Sequence, residues 1–227
     1  MRYKFILPLV GAIFSMSNLV ANEPNENPLI KSRVIRGSAE FSKWFASANA
    51  GAQFFIGDHD KQESLGKRIT PNFEVSVGKW LNPSFGVRAG LNGYKIKGLT
   101  KGGALATSKD MVIGAPHYLY DQEFNYLNFH ADVLFHWSND AYDVDLDRLY
   151  NIIPYAGLGI MTATNHQKGT HFSPNFGVIQ TLRLTDKLDM NLDVKGNIVG
   201  DKFDGEVGGN KFEGRMSATL GITYNFR

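Results

Sequence analysis

His130, Asp132 and His136 are the residues of this sequence whose types and spacing come nearest to a catalytic set. A histidine beside a carboxylate can act as a general base and activate a hydroxyl nucleophile, as in hydrolases and acyltransferases. On a β-strand, however, His130 would lie about 7 Å from Asp132 and about 20 Å from His136, so the two histidines could not serve one centre. No local pattern marks Ser173 or Ser217 as the nucleophile. We therefore predict a non-enzymatic protein.

Metal and covalent chemistry have no better support in the sequence. The chain contains no cysteine, which excludes disulfides, thiolate metal ligands, a cysteine nucleophile and a lipidated cysteine. No two histidines have the spacing of ligands on a shared turn. The histidines considered are His117, His130, His136, His166 and His171. We predict that the protein holds no metal and no cofactor.

One acidic stretch resembles the beginning of a calcium-binding loop. Asp143, Asp145 and Asp147 have the alternating spacing of such a loop. The motif then requires a glycine where Arg148 stands and a closing glutamate where Pro154 stands. We therefore expect a solvated turn and no calcium site.

The elements that position these residues follow from a two-residue alternation of polar and apolar side chains, which is typical of β-strands. From 212 to 226 the even positions are apolar or glycine and the odd positions are polar apart from Gly221. Each segment with this pattern has 11 to 15 residues, which is sufficient for a tilted strand to cross a membrane, since such a strand needs roughly 9–11. The predicted strands are 43–57, 70–80, 85–97, 127–137, 152–164, 172–184, 188–198 and 212–226.

The connections between these strands alternate in length. Hairpin-sized turns are predicted at 82–84 and 185–187, and 138–151 is the exception that is longer than a turn. If both chain ends are periplasmic, the other links are extracellular, as outer-membrane barrels require. These longer links are 58–69, 98–123, 165–171 and 200–211. The link 98–123 is the candidate for contact with an extracellular partner, and a loop folded over the barrel mouth is the alternative.

The start of the chain has the three parts of a secretory signal. Arg2 and Lys4 precede the apolar run 5–14, and a small residue, Ala21, stands at the expected cleavage site. We predict a signal peptide over 1–21, a flexible periplasmic lead-in over 22–41 and a barrel over 42–227. Without the two basic residues of the signal, 22 basic and 22 acidic residues remain, so no nucleic-acid partner is indicated.

The polar faces of the predicted strands carry both signs of charge. If these faces line the lumen, the charged groups must pair or stay hydrated, because an isolated buried charge costs several kcal/mol. An eight-stranded barrel is only wide enough for side chains to fill. We therefore predict a packed polar core, with gating or conduction as the alternative. The predicted lumen network comprises Glu74, Arg88, His130, Asp132, Arg183, Asp193, Lys195, Glu213 and Arg215.

Alternation alone would also suit a soluble barrel with an apolar ligand inside. The polar face here, however, is rich in Asn, Ser, Thr, Gly and His and poor in the Lys and Glu of a water-facing surface. Aromatic residues also cluster near strand ends, where they favour the lipid–water boundary and predict an aromatic girdle. The residues concerned are Trp44, Trp80, Tyr126, Trp137, Tyr155, Tyr224 and Phe226.

The chain closes Tyr224-Asn225-Phe226-Arg227 after an alternating final strand. This ending resembles the signature by which bacterial barrels are recognised for assembly. The region 44–226, including the stretch KFDGEVGG at 202–209, is similar to OmpA-like outer-membrane β-barrel domains. The resemblance implies an eight-stranded barrel whose last strand binds the barrel-assembly machinery. One departure is that Arg227 follows the aromatic residue. We also expect no peptidoglycan-binding domain, so cell-wall tethering is not carried over.

Together these features predict an all-β fold, a closed antiparallel up-and-down transmembrane β-barrel of eight strands in the outer membrane of a Gram-negative bacterium. Its partners would be outer-membrane lipid and the assembly machinery. The predicted function is to anchor and present extracellular loops or to support the integrity of the cell envelope. A narrow porin or gated channel is the first alternative, and a barrel-embedded enzyme acting on lipid or peptide is the second.

Overall fold

A computed structural model describes residues 43–57, 60–62, 64–108, 111–112, 118–141, 148–164, 169–200, 203 and 212–226. Several sequence-based predictions fall outside the described residues. These are the signal peptide over 1–21, the lead-in over 22–41, the three aspartates of the calcium hypothesis, His117, His166 and all but one residue of the stretch 202–209.

Eight strands form one closed barrel in which every neighbouring pair is antiparallel. Each strand pairs with the next along the chain, and β1 also pairs with β8, which closes the sheet. The predicted fold class is therefore confirmed. The strands are β1 (Lys43–Ile56), β2 (Thr70–Trp80), β3 (Phe85–Thr100), β4 (Tyr120–Phe135), β5 (Tyr150–Ala163), β6 (Thr170–Arg183), β7 (Leu188–Gly200) and β8 (Phe212–Asn225).

Strand β4 is the one whose predicted bounds differ most from the structure. It begins at Tyr120, seven residues before the predicted start. Its first residues pair with the last residues of β3, which continues to Thr100. In this added part Phe124 lies opposite Ile96 and Tyr120 lies opposite Thr100. The hairpin that β3 and β4 form therefore reaches beyond the rest of the sheet, and the link between them is shorter than predicted.

The two faces of the barrel wall are reversed relative to a water-soluble protein. Leu220 on β8 is 59% exposed, whereas its neighbour Thr219 is 3% exposed and points into the lumen. The predicted facing of the last strand is therefore confirmed. Large exposed apolar side chains on the other strands continue this belt, among them Trp44, Phe73, Leu91, Phe129, Leu158, Phe176 and Val194. A belt of this kind is stable where the solvent is lipid.

The end of the barrel that carries the long links is closed by packed side chains. Asp60 accepts hydrogen bonds from the backbone N–H of Gly57 (2.7 Å) and of Leu99 (2.8 Å), which ties the first link to β3. Arg68, in the short helix α1 (Leu65–Arg68), donates to the carbonyl of Phe55 at 2.8 Å. Beneath them lies an inner apolar cluster of Phe55, Ile96, Phe124, Tyr126, Met161, Ala163, Val199 and Phe203.

The opposite end contains the unexpectedly long connection between β4 and β5. It begins with the short helix α2 (Trp137–Ala141). Ser138 Oγ accepts a hydrogen bond from the N–H of Ile152 at 2.8 Å, and Asn139 Nδ2 donates to the carbonyl of Pro83 at 2.8 Å. The helix is thereby fixed against the neighbouring strand ends. Within the described ranges no helix is long and apolar enough to cross a membrane.

Three aromatic residues predicted for the girdle instead point toward the barrel interior. Tyr126 and Tyr155 are almost completely buried, and Trp80 is half-buried against the inner residue Phe45. Trp137 is half-buried in α2. The outward aromatic residues are Trp44, Tyr224 and Phe226. Proximity to a strand end does not predict the face of a ring, because the face depends on an even or odd position within the strand.

We predict that Leu220→Arg destabilises the barrel by about 2–4 kcal/mol, because it places a charge on the lipid face near mid-strand. Tyr224→Arg, on the same face of β8 but at its end, is expected to cost only about 0–1 kcal/mol. Guanidinium-dependent folding into lipid vesicles measures both values. Equal costs for the two variants would contradict the assigned membrane depth.

Candidate functional site

A layer of ionisable side chains crosses the middle of the lumen. Every member points inward, and each is at most 5% exposed. Strands β2, β3, β4, β5 and β7 supply them, so the layer spans the barrel from wall to wall. The members of this central layer are Glu74, Arg88, His130, Asp132, Tyr155, Asp193 and Lys195.

Arg88 connects opposite walls of the barrel. Its Nε donates to Asp132 Oδ2 at 2.8 Å on the adjacent strand, and its Nη1 donates to Asp193 Oδ2 at 3.0 Å across the lumen. The same Nη1 lies 3.6 Å from Glu74 Oε1. One guanidinium thus compensates carboxylates on β2, β4 and β7, for which its planar array of donors is well suited.

A second chain of contacts runs through Lys195. Lys195 Nζ donates to Glu74 Oε2 at 2.5 Å and lies 3.2 Å from His130 Nε2. The other ring nitrogen of His130, Nδ1, is 3.0 Å from Asp132 Oδ2. The three carboxylates of the layer thus contact two cations, Arg88 and Lys195, and the His130 imidazole lies between Lys195 and Asp132.

Tyr155 lies at the edge of this layer and was assigned to the girdle on sequence grounds. Its hydroxyl donates to Asp193 Oδ1 at 2.6 Å. The Arg88 guanidinium carbon lies 4.5 Å from the centre of the Tyr155 ring, which is the distance of a cation–π contact. The ring thus partly replaces the hydration that Arg88 gives up in the lumen.

Two glycines make room for the bulky polar groups of β4. Gly90 on β3 pairs with His130, and a Cβ at Gly90 would lie 2.6 Å from the imidazole. Gly157 on β5 pairs with Asp132, and a Cβ there would lie 2.2 Å from the carboxylate. The sequence therefore places glycine, which has no Cβ, beside His130 and Asp132, the two residues that need space in a narrow barrel.

The remaining predicted network residues lie outside the central layer. Arg215 belongs to a second polar group nearer the long links, where it donates to Gln53 Oε1 at 2.8 Å and contacts Tyr126 Oη and Asn197 Oδ1. Glu213, on the same strand, is also buried. Arg183 is only half-buried and lies at the opposite end of the barrel. Sequence reasoning missed the partners Gln53, Asn92, Asn175 and Asn197, which also occupy inward strand positions.

The geometry around His130 fits an internal contact better than catalysis. Both ring nitrogens are engaged, by Asp132 and Lys195, and the side chain is fully buried. Ser173 accepts a hydrogen bond from Asn197 Nδ2 at 3.2 Å. His136 lies apart, 5.2 Å from the ring of Trp80. Among the residues that the structure describes, no group of three or more His, Asp or Glu side chains could hold a metal ion.

Between the central layer and the short turns lies a cavity of about 400 Å³. Arg88 lies at its inner end, while Lys43 and Asp186 line it near the strand ends. The sequence predicts a lumen filled with polar side chains, but the structure leaves this part of it open. Short polar residues such as Ser47 and Thr181 occupy inward positions here and leave space unfilled.

His136 lines this cavity just beyond the end of β4. Burial lowers the pKa of its imidazole to about 4 from an ordinary value of 6.5, and the positive charges of Arg148 and Arg183 act in the same direction. The imidazole is therefore neutral in the folded protein over the pH range in which an exposed histidine gains its proton.

Comparison with curated proteins supports an outer-membrane location. The chain is similar to Outer membrane protein 40 of Porphyromonas gingivalis, with 24% identity over 236 residues. The alignment covers 97% of this chain and 56% of that protein, so the chain spans little more than half the length of its relative. No family model matches the sequence.

Comparison with solved structures supports the fold. Neisserial surface protein A aligns with a TM-score of 0.50 and 14% identity over 81% of this chain and 97% of that one. OprG from Pseudomonas aeruginosa aligns with a TM-score of 0.50 and 9% identity over 82% of this chain and 96% of that one. The chain is a small eight-stranded β-barrel protein of the Gram-negative outer membrane.

We predict that Arg88→Met destabilises the barrel by about 3–5 kcal/mol, because it leaves buried carboxylates without their cation. Lys97→Met is the matched control, since Lys97 is partly exposed and lies 3.7 Å from Glu123. The loss of such a surface pair is expected to cost at most about 1 kcal/mol. Chemical unfolding in lipid vesicles compares the two variants, and a small cost for Arg88→Met would show that the layer does not stabilise the barrel.

The low pKa of His136 predicts a loss of stability on acidification. Above pH 6.5 the imidazole is neutral in both states and contributes no pH dependence. Between pH 6.5 and about 4 the unfolded chain binds a proton that the folded barrel does not, so stability falls as the pH decreases through this window. His136→Gln should reduce this decrease in unfolding midpoints measured at several pH values. If the unfolding midpoints of the wild type and of His136→Gln decrease in parallel with pH, the loss of stability arises from other titratable groups.

Proposed function

We propose that this outer-membrane protein is a non-enzymatic anchor that presents extracellular loops or supports the integrity of the cell envelope. The observation that carries the proposal is the central layer around Arg88, which fills the lumen from wall to wall. The inner apolar cluster near the long links adds a second group of buried side chains across the lumen. The side chains best suited to catalysis are engaged in the same layer.

We also propose that the chain is an OmpA-like barrel with a cleaved signal at 1–21 and a lead-in over 22–41. In this proposal β8 is recognised by the assembly machinery. The exposed rings of Tyr224 and Phe226, whose centres lie 5.0 Å apart, support it because they form an accessible aromatic pair at the end of the strand. Lipid contacts the apolar belt.

The projecting hairpin of β3 and β4 is the surface that we propose for an extracellular partner, in keeping with the predicted role of 98–123. Near its tip Met111 bridges to Tyr120, and Tyr118 is 76% exposed. Met111 is also exposed. Large apolar side chains held outside the membrane belt favour contact with another surface.

A gated channel is the second candidate, and the cavity below Arg88 is the observation in its favour. Part of the lumen is already open from the end with the short turns. Arg88 has three carboxylates within reach, so an exchange of partners would rearrange the layer without leaving its charge unpaired. Opening would also require the inner apolar cluster around Phe124 to move.

Conductance across a planar lipid bilayer separates the two functions. We predict that the wild-type protein produces no defined current steps, because the central layer and the apolar cluster both obstruct the lumen. The double variant Arg88→Ala, Phe124→Ala shortens one side chain in each obstruction and is expected to produce current steps. Such steps would also show that the protein inserts into the bilayer under these conditions. Heat-dependent migration on detergent gels confirms folding of both proteins. Regular steps from the wild-type protein would favour the channel.

A further inference from the structure

Two lysines on the outer wall of the barrel lie just beyond the apolar belt, at the end with the long links. Lys95 and Lys97 belong to β3, and the residue between them, Ile96, points inward into the apolar cluster. The lysines therefore take outward positions, because successive side chains of a strand lie on opposite faces. On β4 the belt ends at Leu127, which is 49% exposed, and the next outward residue, Asn125, pairs with Lys95. The two ammonium groups thus lie where acyl chains give way to headgroups.

The two lysines share a single carboxylate. Lys95 Nζ forms an ion pair with Glu123 on β4, and Lys97 Nζ lies 3.7 Å from the other oxygen of the same carboxylate. The side chain of Lys97 remains 47% exposed. Asp121, the next outward carboxylate on β4, lies two residues farther from the belt. Two positive charges against one negative charge leave this part of the wall positive, so an anionic headgroup would neutralise the remaining charge.

Tyr94 adds an aromatic ring at the same level of the wall. By alternation it belongs with Asn92 and Ile96, which both point into the lumen. Tyr94 is nevertheless 50% exposed, and its ring packs edge-on against the outward ring of Phe73, with 5.6 Å between their centres. The backbone turns the ring outward with a φ of 155°, a positive value that residues with a side chain rarely adopt. A costly backbone conformation that displays an aromatic ring at the headgroup level indicates a functional use for that ring.

We propose that Lys95, Lys97 and Tyr94 form a binding site for the phosphorylated headgroup of a glycolipid in the outer leaflet. A phosphate of the headgroup accepts hydrogen bonds from the two ammonium groups, and the exposed Tyr94 ring packs against a sugar. The site lies at the extracellular end by the rule for outer-membrane barrels. The glycolipid of that leaflet is lipid A, an acylated glucosamine disaccharide that carries phosphate groups. The proposal requires only the outer-membrane location and is separate from the anchoring function.

The test is native mass spectrometry of the folded protein, titrated with diphosphoryl lipid A in detergent micelles. A basic residue near an anionic membrane surface contributes about 1 kcal/mol, which corresponds to about fivefold in affinity. Lys97→Met should therefore weaken binding about fivefold, and the double variant Lys95→Met, Lys97→Met about 25-fold. Lys97→Arg should bind as the wild type does, because it retains the charge. Lipid A without its phosphate groups should bind the wild type as weakly as diphosphoryl lipid A binds the double variant.

Lys79→Met is the matched control. Lys79 is another lysine on the outer wall beside an exposed aromatic ring, with its Nζ 5.2 Å from the centre of the Trp44 ring. It lies at the end with the short turns, so its replacement should leave the affinity for lipid A unchanged. Heat-dependent gel migration confirms that each variant is folded.

The proposal is overturned if the wild-type protein does not bind lipid A, or if Lys79→Met and Lys97→Met weaken binding equally. It is also overturned if removal of the phosphate groups from lipid A leaves the affinity unchanged. Displacement of lipid A by millimolar inorganic phosphate would contradict it as well, because the site would then bind the free ion.

Discussion

The charges in the middle of the lumen are tolerable only because each lies in contact with a group of opposite charge. Glu74, Asp132 and Asp193 would each cost several kcal/mol if buried alone, and Arg88 and Lys195 would cost as much. Because the partners lie on different strands, the pairing also specifies register. A slip by one residue would turn a charged side chain outward into lipid and leave its partner unpaired inside.

The layers of the lumen follow from this arrangement. A charged layer fills the middle, an apolar cluster around Phe124 closes the end with the long links, and a partly open cavity occupies the end with the short turns. Tyr155 joins the layer to the apolar side chains that line the cavity, since its ring stacks on Arg88 and also packs in the cluster with Ile153 and Ile179. The wall exposes apolar side chains to lipid on every strand, while the charged side chains of the layer take inward positions.

The sequence predicted those features that depend on a two-residue period. The alternation from 212 to 226 determines both the strand and its facing, and β2 has the bounds that were predicted. Features that depend on contacts between distant strands were not accessible. The inward position of Tyr155 reflects its partnership with Arg88 and Asp193, and the cavity arises because short inward side chains from several strands meet at one end. Neither has a local pattern.

Cysteine accessibility tests most directly whether the central layer divides the lumen, and the absence of native cysteine makes the experiment clean. Ser47→Cys lies in the cavity, whereas Ser173→Cys lies on the other side of the layer, toward the long links. In folded protein, a charged, water-soluble thiol reagent should label the cysteine at 47 rapidly and the cysteine at 173 only after unfolding. Equal labelling of both in the folded barrel would contradict a closed lumen.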